Sequence, residues 1–267
     1  MLRFQFVVIL LLFAIRSSAQ ISFERSLFHS DGIQVNDITT TEDNGFALVG
    51  EHRGGISLVK LDSAYDIQWE KIIRDNIAVG ETGIRIINTR DGGYLVIVRG
   101  LDPNLLTPDI TILKTDSIGN PLWCKSIGAA QDDYAYDVIE TSDSSFVFTG
   151  YSDFLGPILQ GDLLLMKMDQ LGQLTWAKTL GGLHVDIGRR IFEINNGYFS
   201  IGYSESYTSY RIHLLNTDTS GTVRWAMMLG SFNDRLMDGA ITSDSDTFYP
   251  VFPITISDCQ TIRLPSW

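Results

Sequence analysis

Read only for hydrophobic and polar positions, the chain is a series of short apolar or alternating runs separated by Asp, Asn, Ser and Gly. Segments 38–41 and 45–50 are short and rich in β-branched or aromatic residues, which is how half-buried strands read. Asn44-Gly45 and Asp91-Gly92 between such runs predict two-residue hairpin turns in which both central residues take φ > 0. In 163–168 the apolar positions fill both parities: Leu163 and Leu165 on one side, Leu164, Met166 and Met168 on the other. A strand like that must be covered on both faces of its sheet. Outside the N-terminus no segment has helical periodicity.

The runs repeat. Without gaps, "ISLVKLDSAYDIQWEK" (56–71), "ITILKTDSIGNPLWCK" (110–125), "LLLMKMDQLGQLTWAK" (163–178) and "IHLLNTDTSGTVRWAM" (212–227) align on Trp69, Trp123, Trp176 and Trp225. Lys60, Lys114, Lys167 and Asn216 come nine residues before each Trp, Asp62, Asp116, Asp169 and Asp218 two after those, and Tyr65, Gly119, Gly172 and Gly221 three later. The Asp is expected to bond its own backbone and the Gly to take the left-handed position of a turn. By parity with Ile110 and Ile112, Lys114 should bury its stem and send its head to an acid or carbonyl at the strand end. A second block precedes each copy: "ITTTEDNGFALVG", "IINTRDGGYLVIVRG", "VIETSDSSFVFTG", "IFEINNGYFSIG" and the weaker "ITSDSDTFYPVF". Its aromatics, Phe46, Tyr94, Phe146, Tyr198 and Phe248, lie 48 to 52 residues apart.

Four short antiparallel strands per unit, a period near 50 residues and sheets buried on both faces predict an all-β fold, a β-propeller of four-stranded blades. The pattern T-x-D-G-G-[YF] … K-x-D-x-x-G-x-x-x-W-x-K resembles secreted bacterial and archaeal β-propeller repeat proteins over residues 21–250, best over 141–182. That resemblance implies an extracytoplasmic binding or structural role and brings no catalytic residues with it.

The blades are expected at about 33–74, 82–127, 134–180, 186–229 and 236–267 within a propeller domain at 20–267. "ISFERSL" aligns with "IQWEKII", with Phe23 at the Trp position, so strand 21–28 is expected to complete a fifth blade whose own segment lacks the Lys-Asp-Gly-Trp block. A fragment of a larger propeller is the rival reading. Closure would remove sheet edges open to aggregation.

Residues 1–19 read as a signal peptide: Arg3, a nearly unbroken apolar run over 4–15, then Ser17-Ser18-Ala19 before Gln20. The run is short of the ~20 residues of a membrane span, so no membrane insertion is expected after cleavage. Export follows, whether to periplasm, cell surface or medium. The formal charge is −12, and losing Arg3 and Arg16 takes it to about −14, which speaks against nucleic acid as a partner. Cys124 and Cys259 make no disulfide framework, and Cys124, opposite in parity to Trp123, is expected to pack between blades.

Function is expected in the connections after strands two and four, since variable loops on a rigid scaffold carry binding. Candidates are Asp102 and Asp109 in 101–109, Asp132 and Asp133 in 128–135, Tyr151, Asp153, Phe154 and Asp162 in 151–162, and Tyr203, Tyr207 and Tyr210, with Glu205, in 203–211. Aromatic platforms beside carboxylates suit a glycan, a peptide or a protein segment. No cofactor is implied. Calcium alone suits such acid-rich loops, yet no stretch matches an EF-hand or a glycine-aspartate calcium repeat. No Gly-x-Ser-x-Gly elbow, phosphate loop or paired metal-ligand histidines occur among His29, His52, His184 and His213. A non-enzymatic binding scaffold leads. A glycan hydrolase or lyase using loop carboxylates and a purely structural surface module are the alternatives.

Overall fold

The computed structural model describes residues 32–74, 79–101, 107–128, 131–153, 161–206, 209–229, 238–241, 247–251 and 262–263. The expected signal peptide and strand 21–28 lie outside them.

Four sheets of four antiparallel strands follow one another in the chain. The first blade is β1 (Gln34–Thr40), β2 (Phe46–His52), β3 (Gly55–Leu61) and β4 (Ile67–Ile73); the second is β5 (Val79–Asn88), β6 (Tyr94–Leu101), β7 (Pro108–Thr115) and β8 (Pro121–Ile127). The third is β9 (Asp133–Glu140), β10 (Phe146–Ser152), β11 (Asp162–Met168) and β12 (Leu174–Leu180); the fourth is β13 (Val185–Ile194), β14 (Gly197–Ser206), β15 (Ser209–Asp218) and β16 (Val223–Leu229). This is a β-propeller architecture. A fifth sheet has three strands, β17 (Asp238–Ile241), β18 (Thr247–Val251) and β19 (Ile262–Arg263). Four complete blades, not five, are therefore present among the described residues. The fifth segment lacks the block that builds the third and fourth strands elsewhere.

Both kinds of turn are the same device. In 41–45, Asn44 N–H donates to Thr41 O and Thr41 N–H to Gly45 O, with Asn44 alone at φ +59°. In 116–120, Gly119 N–H donates to Asp116 O and Asp116 N–H to Asn120 O, with Gly119 at φ +78°. The expected two-residue turns with two positive φ angles are thus replaced by longer ones with a single left-handed residue. That is the three-residue hairpin geometry in which a type I turn is followed by an αL residue. Asp62, Asp116, Asp169 and Asp218 each accept two N–H bonds from their own turn through Oδ1.

The core lies between blades. Ala47, Val49, Ile56 and Leu58 of the first blade meet Ile86, Tyr94, Val96, Val98 and Leu113 of the second, with Trp69 and Cys124 packed against them. Leu164, Met166 and Met168 face the second blade, and Leu163 and Leu165 face the fourth. The two-sided apolar strand thus does what its sequence requires.

Three features repeat across the interfaces. Lys60, Lys114 and Lys167 reach Asp43, Asp91 and Asp143 of their own blade at 2.7, 2.8 and 2.6 Å. Trp69, Trp123 and Trp176 lie over Gly119, Gly172 and Gly221, the left-handed glycines of the next blade's turn. On the innermost strands Asp37, Arg85, Asp137 and Arg190 form an alternating series: Arg85 lies 3.3 Å from Asp37 and 2.8 Å from Asp137, and Arg190 lies 3.5 Å from Asp137.

Candidate binding face

Each inner strand of the four blades has a bulge near the end where it enters from the loop face. The register slips between Val35 and Asp37, Gly83 and Arg85, Ala135 and Asp137, and Gly188 and Arg190. The inserted residues are Asn36, Ile84, Tyr136 and Arg189. A bulge re-aims one side chain off the ladder, and these four occupy one position of the repeat. Asn36 and Ile84 line a cavity of about 430 Å³ together with Gln34, Glu51, Thr82 and Arg99. The Arg189 guanidinium lies 4.7 Å from the centre of the Tyr136 ring.

Tyr136 belongs to a tyrosine patch. Tyr134 stacks on Tyr136 at 6.0 Å and contacts Tyr151 at 6.1 Å, while Tyr203 meets Tyr210 edge-on at 5.9 Å. Three phenols donate to carboxylates: Tyr151 to Asp153 at 2.6 Å, Tyr210 to Glu205 at 2.9 Å and Tyr134 to Asp132 at 3.4 Å. Burial and the neighbouring Asp153 carboxylate push the Tyr151 phenol up. Burial, then Asp132, does the same at Tyr134, and Arg99 opposes it. At Tyr136 burial raises the phenol while Arg189 pulls it down. All these phenols stay protonated as donors near neutral pH.

Beneath this patch, where the third and fourth blades meet, is a buried acid pair. A methyl group on Gly181 would lie 2.2 Å from Asp162 Oδ1 and 2.8 Å from Asp186 Oδ2, so those oxygens are no more than about 5 Å apart. Asp162 is 4% exposed, Asp186 1% and His213 7%. Asp186 Oδ2 accepts the Gly182 N–H at 2.9 Å, whereas among the described residues Asp162 Oδ1, Asp186 Oδ1 and His213 Nδ1 have no hydrogen-bond partner, the last two lying 4.0 Å apart. Burial, then Asp186, holds the Asp162 carboxyl above the usual range. Burial holds His213 below its usual value against the pull of Asp186. Among the described residues no group of three or more His, Cys, Asp or Glu is arranged to hold a metal ion.

Of the residues singled out from sequence, Asp132, Tyr151, Asp153, Tyr203 and Tyr210 fall in or beside the tyrosine patch. Tyr203 and Tyr210 sit on strands rather than in a loop, because β14 and β15 pair out to Ser206 and Ser209. Asp133 and Asp162 are buried strand residues. Asp109 abuts Gly128 as Asp162 abuts Gly181, which makes the two a repeated position. Asp102, Phe154 and Tyr207 lie outside the described residues. Sequence reasoning passed over Tyr134, Tyr136, Arg99, Arg189, Asp186 and His213. The signal for Asp186 was present: Glu81, Asp133 and Asp186 each stand four residues before Arg85, Asp137 and Arg190. The bulges gave none.

Neither a protein-family model nor a curated protein matches the sequence. Solved structures do resemble it in fold. A protein of unknown function from Bacteroides caccae is 11% identical, with 82% of this chain and 70% of that one covered at a TM-score of 0.51. The WD40 domain of Pan2 from Neurospora crassa is also 11% identical, with 89% and 63% covered at a TM-score of 0.54, so the chain spans less than two thirds of that domain's chain.

Proposed function

We propose that the protein is an exported, non-enzymatic β-propeller that binds a ligand across the loop face of its third and fourth blades. The observation that carries this reading is the patch of Tyr134, Tyr136, Tyr151, Tyr203 and Tyr210, with three of their hydroxyls already directed by carboxylates. Tyr203 is buried, and the half-buried Tyr134, Tyr136, Tyr151 and Tyr210 offer ring faces beside hydroxyls fixed at Tyr134, Tyr151 and Tyr210, which suits a sugar or a peptide segment. Export rests on residues 1–19 and predicts a mature N-terminus at Gln20, checked by sequencing the exported protein.

Binding is tested by following tyrosine and tryptophan fluorescence while a panel of oligosaccharides and short peptides is titrated. Tyr134→Ala and Tyr151→Ala should each weaken a bound panel member about 3- to 10-fold, the worth of one aromatic contact. Unchanged affinity in both would move the site elsewhere.

A glycan hydrolase is a second reading with one observation in its favour. Asp162 and Asp186 bring carboxylate oxygens within about 5 Å of each other, closer than the spacing of an inverting pair. Against it, both side chains are almost wholly buried. Turnover of a polysaccharide panel, abolished by Asp162→Asn or Asp186→Asn, would carry this reading; no turnover would sink it.

A further inference from the structure

The molecule has 32 acidic and 20 basic side chains, so a basic group without an acidic partner stands out. Arg85 and Arg190, on the inner strands, are neutralised by Asp37 and Asp137. Arg189 and Arg99 are different: neither makes an ion pair among the described residues. Arg189 is the bulge residue of β13, and its guanidinium lies over the ring of Tyr136, the bulge residue of β9, 4.7 Å from its centre. Arg99 lines the 430 Å³ cavity and acts electrostatically on both Tyr134 and Tyr136, as Arg189 does on Tyr136. The remaining bulge residues, Asn36 and Ile84, line that same cavity.

A guanidinium stacked on an aromatic face keeps its N–H edge in a fixed plane, ready for bidentate contact with a carboxylate. Beside it, Tyr134, stacked on Tyr136, and Tyr151, tilted 40° from Tyr134, offer ring faces for a pyranose, and Asp132 and Asp153 border that end. We infer that the loop face binds a saccharide bearing a carboxylate, with the acid group seated between Arg189 and Arg99 and the sugar ring lying over the tyrosines. This rests on the binding reading above and names its ligand class. Asn36 and Thr82 are bonded to each other at 2.9 Å and present amide and hydroxyl groups to the rest of the cavity. Glu51 lines the same cavity and Asp132 and Asp153 border the tyrosine end, so affinity for an acidic saccharide rests on the two arginines.

The test is calorimetric titration of the mature protein with trigalacturonate, galactotriose and the tripeptide triglycine. Trigalacturonate should bind, weaken as salt is raised, and lose at least 10-fold in affinity in Arg189→Gln and in Arg99→Gln, with thermal stability unchanged. Arg189→Lys should recover only part of the loss, because an ammonium keeps the charge and not the planar fork. Galactotriose should bind more weakly and be indifferent to both arginine variants. Failure of trigalacturonate to bind, or binding indifferent to both arginine variants, overturns the inference. If galactotriose binds as well as trigalacturonate and only the tyrosine variants weaken it, the binding reading stands and the anionic assignment falls. If triglycine binds more tightly with the same arginine dependence, the site belongs to a peptide carboxylate and the saccharide assignment falls.

Discussion

At the scale of single residues, the carboxylates of Asp43 and Asp143 that hold buried lysines and the buried carboxyl of Asp162 respond to pH in opposite senses. Lys114 is 3% exposed and its ammonium is satisfied by Asp91 and by Thr115 O at 2.9 Å. Removing one partner of such a pair costs more than removing the charged group itself. Asp91→Ala should therefore destabilise by about 1–3 kcal/mol in chemical denaturation, and Lys114→Met by less. Lys60 holds the Asp43 carboxyl far below the usual range, and at Asp143 burial pushes the carboxyl up but the hydrogen bonds from Lys167, Thr141 and Ser145 together outweigh it. A depressed carboxylate stabilises above its unfolded value and loses that contribution as pH falls through the folded one. Asp162 is raised instead, so its charged form weighs against the fold at neutral pH and protonation relieves it. Asp162→Asn should raise the melting temperature at pH 7, and the gain should shrink as pH falls through the raised value. A gain that grows on acidification would contradict the assignment. The Lys head position was legible from strand parity. The acid pair was not, because Asp162 and Asp186 belong to different repeat units and meet only once two blades pack.

At the scale of elements, the link between blades is a tryptophan over a glycine. A methyl group on Gly119 would meet the Trp69 ring at 2.7 Å, on Gly172 the Trp123 ring at 3.1 Å, and on Gly221 the Trp176 ring at 2.9 Å. Each glycine also has a positive φ that a side chain disfavours. Gly172→Ala should cost about 1–3 kcal/mol, the sum of a strained backbone and a displaced indole. Tyr65 holds the equivalent place in the first blade, at φ +65°, with its ring stacked on Phe46 at 5.6 Å. Tyr65→Gly should be close to neutral, since relief of strain offsets the lost stacking, and a cost above about 2 kcal/mol would show the stack to dominate. The repeat placed Trp and Gly four residues apart within one motif. Their contact is instead with the copy about 50 residues on, and no local pattern reveals which neighbour an outer-strand side chain will cover. Strand existence and pairing were legible because parity and turn chemistry are local. Turn length was misread because a dipeptide does not show whether one or two residues go left-handed.

At the scale of the whole molecule, the period and the two-sided burial of third strands gave the architecture. The blade count depended on the degenerate last segment, which lacks the Lys-Asp-Gly-Trp block and forms a three-stranded sheet among the described residues. The binding patch was half legible: loop position found Tyr151, Asp153 and Asp132, but the bulges that turn Tyr136 and Arg189 aside are a property of paired strands.

The alternation of Asp37, Arg85, Asp137 and Arg190 gives the repeats a parity. In backbone register Asp238, opposite Val251, holds the position that Asp37 holds opposite Val49. Excising the second blade alone would set Asp37 beside Asp137, like charge against like. Excising the second and third together would set Asp37 beside Arg190 and keep the sequence of signs. Chains shortened by one interior blade should therefore fold worse than chains shortened by two, despite losing less of the core.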